Sequence, residues 1–310
     1  MLLKVGISET RLSFVQADLV CRRLLQAVPG LSLEKKIVFP NKSDLNGRNP
    51  LVVMRNRRAV DREIDRAVLD GRVDFAVCDM RKVPLFDENS RLVIAGVPER
   101  GSPADVLVSR GDQALKELEE GSVLGVSSPV RLAQLARVRP DLRTERVSGD
   151  LIARIGKVDR RRFDGIIVAE AGVARLGLTG RIAQRFSLKD FVPFPGQGAI
   201  AAIARRDDYR VCDLIRSIEH SPTRVETVSE RELVRVLATE CKVPVAALAS
   251  CTGDSLELTA RVLSADGREE VRTRGRGDAR DPIDLARKLG GHLIDQGAEA
   301  FEEGWRKLYY

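Results

Sequence analysis

The chain has 310 residues, 43% of them hydrophobic and 31% charged, which allows two or three domains with their own cores. Its formal net charge of +7 suits anionic partners, while no apolar run approaches the roughly 18 residues needed to span a bilayer. Five scattered cysteines without a CxxC, and only two histidines, argue against a disulfide framework, a zinc site or a histidine-rich metal centre. The start, M-L-L-K-V-G-I, reads as a strand and not as a signal peptide, so a cytoplasmic protein is expected. The basic runs Arg57-Arg58 and Arg160-Arg161-Arg162 are interrupted by acids and lack an aromatic platform. They read as solvated faces, and no nucleic-acid partner is expected.

Along the chain, Leu3, Val5 and Ile7 alternate as a strand does, and Leu12, Val15, Leu19 and Val20 recur at helical spacing. Val60, Ile64 and Val68 predict another helix, and the run 73–78 a buried strand. A similar unit begins near residue 103, with strands over 106–109 and 123–126, helices over 131–138 and 150–157, and a strand over 165–169. Such alternation predicts parallel α/β units. The last third differs in character. A helix over 225–237 precedes the alternating Leu256, Leu258, Ala260 and Val262, a hairpin turn at Asp266-Gly267 and a returning strand over 270–273. One helix over about 282–309 is expected to close this small α+β module.

An internal echo points to chemistry. Gly6-Ile7-Ser8 leads into Arg11-Leu12, and Gly125-Val126-Ser127-Ser128 leads into Arg131-Leu132. Each combines a strand end, a hydroxyl-bearing turn and a helix start, where free N–H groups beside arginine bind anions. Two such ends across a cleft would hold a ligand with several carboxylates. Two ordinary serine N-caps are the other reading.

The segment V-C-D-M-R-K-V-P, residues 77–84, resembles the active-site segment His-Ser-Met-Lys-Asp-Val-Pro of porphobilinogen deaminases (hydroxymethylbilane synthases), with Met80, Val83 and Pro84 in place. Further segments resemble that family in its own order. Gly125-Val126-Ser127-Ser128-Pro129-Val130-Arg131 looks like Gly-Thr-Ser-Ser-Leu-Arg-Arg, and Ser148-Gly149-Asp150 through Arg154 like Arg-Gly-Asn…Arg. Ala171-Gly172-Val173-Ala174-Arg175-Leu176-Gly177 matches Ala-Gly-x-x-Arg-Leu-Gly, and Pro195-Gly196-Gln197-Gly198-Ala199 the crossover segment. Glu240-Cys241-Lys242-Val243-Pro244 resembles Gly-Cys-x-Val-Pro. The similarity spans nearly the whole chain.

The resemblance implies an α/β fold of two periplasmic-binding-protein-like domains around a cleft, 1–98 with 195–216 and 103–190, plus a small C-terminal α+β domain, 221–310. It implies a monomeric transferase of pyrrole and tetrapyrrole metabolism that condenses porphobilinogen on a dipyrromethane, held through a thioether at Cys241. A thiolate suits that position as a soft nucleophile; a buried structural cysteine is the other reading. Ser127, Ser128, Arg131, Arg154 and Arg81, the last replacing a lysine, fall at cofactor-binding positions. Ser8, Thr10, Arg57, Arg175 and Gln197 are the candidates for binding substrate. Lys42-Ser43-Asp44 resembles the family's Arg-Gly-Asp loop. Where the family has arginine, however, this chain has Ser8, Val130 and Ser148, and Thr239-Glu240 replaces a Gly-Gly before the cysteine. Bidentate arginine grips are not reproduced by serine or valine, which implies a ligand with fewer or differently placed carboxylates.

Lys82 stands where the family keeps its catalytic aspartate, whose carboxylate steadies positive charge on a pyrrole. An ammonium about 4 Å from that cation costs on the order of 4 kcal/mol at an effective dielectric near 20. With the lost attraction of similar size, the swing reaches about five decades in rate, so weak or no bilane formation is expected. Lys82 and Asp79 are the candidate catalytic residues: Lys82 as a substrate-carboxylate partner, or as base or nucleophile if desolvated, and Asp79 as a displaced acid. In a strand the two would point to opposite faces, so Asp79 can substitute only if the backbone turns. Two functions stay open: an enzyme of pyrrole metabolism, and a non-catalytic tetrapyrrole- or carboxylate-binding protein on the same scaffold.

Overall fold

A computed structural model describes residues 1–39, 59–87, 89–240 and 243–309. The chain divides into two compact units, Met1–Arg100 with Ala199–Arg224, and Gly101–Gly198 with Val225–Tyr310. The first begins with β1 (Leu2–Ile7), α1 (Arg11–Ala27), β2 (Ser32–Ile37), α2 (Ala59–Leu69), β3 (Phe75–Asp79) and β4 (Leu92–Gly96). The second follows with β5 (Asp105–Ser109), β6 (Val123–Val126), α3 (Pro129–Val138), β7 (Arg143–Arg146), α4 (Leu151–Asp159), β8 (Gly165–Ala169), α5 (Glu170–Arg175) and β9 (Gln184–Arg185). The chain returns to the first unit as β10 (Ile200–Arg205) and α6 (Tyr209–Arg216). It ends in the second with α7 (Ser221–Glu240), β11 (Val245–Thr252), β12 (Ser255–Leu263), β13 (Glu270–Asp278), α8 (Pro282–Asp295) and α9 (Glu302–Tyr309).

The first sheet has the order β2-β1-β3-β10-β4 and the second β7-β6-β8-β5-β9. In each, three parallel strands adjoin one strand running antiparallel, β10 in the first and β5 in the second. All five residues of β3 are buried, as a central strand covered on both faces requires. Leu3, Val5 and Ile7 of β1 point into the core that α1 completes with Val20 and Leu24. Asp150 caps α4 by accepting from Ala153 N at 2.8 Å, and Pro129 opens α3 where a missing N–H costs nothing.

The C-terminal antiparallel sheet, β11-β12-β13, packs its own core of Leu256, Leu258, Ala260 and Val262 against α7 and α8. It also holds to the α/β part of its unit. Arg261 donates to Asp190 O at 2.8 Å, and Glu230 of α7 accepts from Gly196 N at 2.6 Å and Ala249 N at 2.9 Å. The single closing helix expected over 282–309 is broken. Gly297 adopts a left-handed conformation, φ 85°, which ends α8. A 3-10 turn then leads into α9, whose Trp305 donates to Leu263 O at 2.8 Å. Among the described residues no helix is long and apolar enough to cross a membrane.

Candidate active site

In the first unit β1 and β3 are parallel neighbours, so their carboxyl ends lie on one edge of the sheet, where open α/β sheets bind ligands. After β1 comes Ser8, buried at 5% exposure, whose N–H donates to Ser13 Oγ at 3.1 Å. Thr10, not Ser8, caps α1, its hydroxyl accepting from Ser13 N at 3.3 Å. The serine N-cap reading therefore does not apply to Ser8.

After β3 the backbone does turn. Residues Met80–Lys82 form one turn of 3-10 helix, with Met80 N donating to Ala199 O at 3.1 Å. A 3-10 turn brings positions three apart to one side, which removes the opposite-face objection to Asp79. Its carboxylate is nevertheless committed: it accepts from Arg81 N at 3.1 Å and from the Arg81 guanidinium at 2.9 and 2.7 Å. Lys82 reaches elsewhere, its Nζ lying 3.8 Å from Oδ1 of Asp61 in the first turn of α2. This turn thus gathers two carboxylates and two cations. Asp61 escaped the sequence reading, although it shares a helical stripe with Ile64 and Val68, and an acid on an apolar face signals a paired charge.

In the second unit the equivalent edge follows β6 and β7, again parallel neighbours. Arg154 of α4 donates to Ser127 Oγ at 2.8 Å and to Gly149 O at 2.8 Å. Ser128 stands at the start of α3 and makes no side-chain cap bond. At Ser148, where a lost arginine was inferred, Lys157 donates to the carbonyl oxygen at 3.0 Å. It lies three residues beyond Arg154 on α4, a spacing that places both on one helix face.

Arg131 and Gln197, expected at cofactor and substrate, turn inward instead. Arg131 donates to Asp105 Oδ1 at 3.0 and 2.7 Å, to Ile167 O at 3.3 Å and to Gln197 Oε1 at 3.0 Å. Gln197 in turn donates to Asp105 Oδ1 and to Pro103 O, both at 2.7 Å. At 5% and 0% exposure the two residues knit α3, β5 and the 195–198 segment together. Arg175 donates to Gly198 O at 2.6 Å and steadies the same segment. Lys42-Ser43-Asp44, Arg57 and Cys241 lie outside the described residues.

The chemistry of these edges is anion-directed: hydroxyls, helix starts and cations at the carboxyl ends of parallel strands. The family model described as "Porphobilinogen deaminase, dipyromethane cofactor binding domain" matches residues 3–213, and the one for the porphobilinogen deaminase C-terminal domain matches 225–295. A probable porphobilinogen deaminase of Nitrosopumilus maritimus (strain SCM1) is 35% identical over 304 residues, covering 98% of this chain and 96% of that protein. The porphobilinogen deaminase of Desulforudis audaxviator (strain MP104C) is 37% identical over 294 residues, covering 95% and 94%. The chain belongs to the porphobilinogen deaminase family.

Proposed function

We propose that this protein is a hydroxymethylbilane synthase, joining porphobilinogen units with release of ammonia. The observation that carries this reading is the match to porphobilinogen deaminases over at least 94% of each chain. Lys82, Ser8, Val130 and Ser148 at family positions of other character speak for a binding protein without catalysis, but the match over nearly the whole chain outweighs them.

The family's cofactor domain is a dipyrromethane-binding one, and the donor set suits that group. Its acetate and propionate carboxylates need hydroxyl, N–H and cationic partners, as Ser127, Ser128, Arg154 and Lys157 provide. When bound, the dipyrromethane supplies the pyrrole carbon to which incoming units are joined. Cys241 would hold it through a thioether, and Ser127, Ser128, Arg154 and Arg81 would bind its carboxylates. Ser8, Thr10, Arg57 and Arg175 would receive those of porphobilinogen. Arg131 and Gln197 serve from within, fixing α3 through Asp105. Asp79 and Lys82 would stand beside the reacting ring and act on it through their charges alone. Work in the cytoplasm accords with the free thiols of Cys21, Cys78, Cys212 and Cys251.

Intact mass after production in a porphobilinogen-replete host is the test. A dipyrromethane adduct that disappears in Cys241→Ser, with porphobilinogen consumed by the wild type, is the expected result. An unmodified Cys241 together with no consumption would sink the proposal and return the binding-protein reading.

A further inference from the structure

Asp61 is 4% exposed, yet it is ionisable and sits on the face of α2 that buries Ile64 and Val68. A buried carboxylate is kept only where something compensates its charge. Its place in the first turn of α2 contributes, since the positive end of the helix dipole favours an acid. The other compensation is Lys82, whose ammonium stands 3.8 Å away on the turn after β3 and whose side chain is one-third exposed at 34%. The acid is therefore the inner member of the pair and the ammonium the outer one. Asp79 plays this part less directly, because both its oxygens accept from the Arg81 guanidinium.

Resting on the proposed reaction, we infer that Asp61 is a positioning residue that holds Lys82 and cancels its charge, so that a pyrrole cation formed beside it meets a neutral pair. The cation arises when the C–N bond of porphobilinogen's aminomethyl group, in its ammonium form, breaks. The bonding pair leaves with nitrogen as ammonia, and the positive charge passes to the exocyclic methylene and the ring. A bare ammonium would oppose that step. A paired one does not, which reconciles Lys82 with the reaction of the family. The site then tolerates a lysine at the aspartate's place because a second acid, from a different element, stands beneath it.

Porphobilinogen consumption across a charge series of the full-length protein tests this. Asp61→Asn leaves the pair at +1 and is expected to lower kcat by about 100-fold with KM nearly unchanged. Adding Lys82→Gln to Asp61→Asn restores neutrality and is expected to recover kcat to within roughly tenfold of wild type. A purely structural role for Asp61 would show no such recovery. Thermal melts check that each variant folds, and Asp61→Glu, which keeps the charge, covers the case of an unstable Asp61→Asn. An Asp61→Asn enzyme as fast as wild type overturns the inference, as does a double variant as slow as Asp61→Asn. A silent wild type beside an active Lys82→Gln also overturns it, while leaving the family reaction to the scaffold. Silence of every member instead removes the proposed function.

Discussion

Burial pushes the Asp79 carboxyl toward the neutral form, but the Arg81 guanidinium and the Lys82 ammonium beside it prevail and hold its pKa at about 2, below the ordinary 3.8. A depressed acid stabilises the fold above its unfolded pKa and loses that contribution as pH falls through the folded one. The gap corresponds to about 2 kcal/mol, complete above pH 5 and roughly halved at pH 3. Arg81→Gln is therefore expected to cost about 2–3 kcal/mol in urea melts at pH 7, with the difference from wild type shrinking toward pH 3. A pH-independent difference would mean that Arg81 stabilises by packing alone. Side-chain identities in this turn were legible from order and spacing, but their pairings were not. The sequence brings Arg81 and Asp79 two residues apart, whereas Lys82 finds Asp61 only once α2 packs beside β3. Arg131 illustrates the same limit: a helical position reveals a face, but its partner Asp105 lies 26 residues away.

At the level of elements, the turn from β7 into α4 sets where the second unit's cations point. Gly149 has φ 102°, a conformation few other residues adopt, and a Cβ there would stand 3.2 Å from the Ala153 side chain. Its carbonyl receives Arg154 Nε, so the glycine's geometry aims the guanidinium at Ser127. Gly149→Ala is expected to cost about 1–3 kcal/mol of stability and to lower the fraction of protein that carries the dipyrromethane adduct several-fold in intact mass, with KM for porphobilinogen close to wild type. Asp150→Ala is the control: it removes the cap of α4 for about 1 kcal/mol without forcing the backbone at residue 149. Equal losses of adduct in the two variants would show that helix stability, not the aim of Arg154, governs cofactor binding. Helices and strands with clean periodicity, such as α1, β1 and β12, are predictable because periodicity is local. The 3-10 turn after β3 is not, since one tight turn leaves no repeat to read, and it decides where Asp79 and Lys82 go.

Over the whole molecule, two sheets share one strand order although the chain fills them in different sequence. Alternating strands and helices announced parallel units, but not that β5 and β10 run antiparallel within them. Those pairings join β5 to β8 and β3 to β10 across long stretches of chain, beyond the reach of any local pattern. The shared order matters because each unit then presents a hydroxyl-bearing turn and basic side chains at the carboxyl ends of its parallel strands. A net charge of +7 adds a long-range attraction for an anionic substrate. Porphobilinogen, whose acetate and propionate outweigh its one ammonium, is expected to feel both. Raising KCl from about 20 mM to about 500 mM shortens the screening length from roughly 20 Å to under 5 Å, so the long-range part is removed and the contact part survives. KM for porphobilinogen is expected to rise roughly three- to tenfold, with kcat within about twofold. The asymmetry follows from distance: Asp61 and Lys82 are 3.8 Å apart, inside the screening length at either salt concentration. Sucrose at matched osmolality should leave KM unchanged. A KM that ignores salt would assign substrate binding to short-range hydrogen bonds alone, whereas a kcat that falls with it would place screened, distant charge in the chemical step.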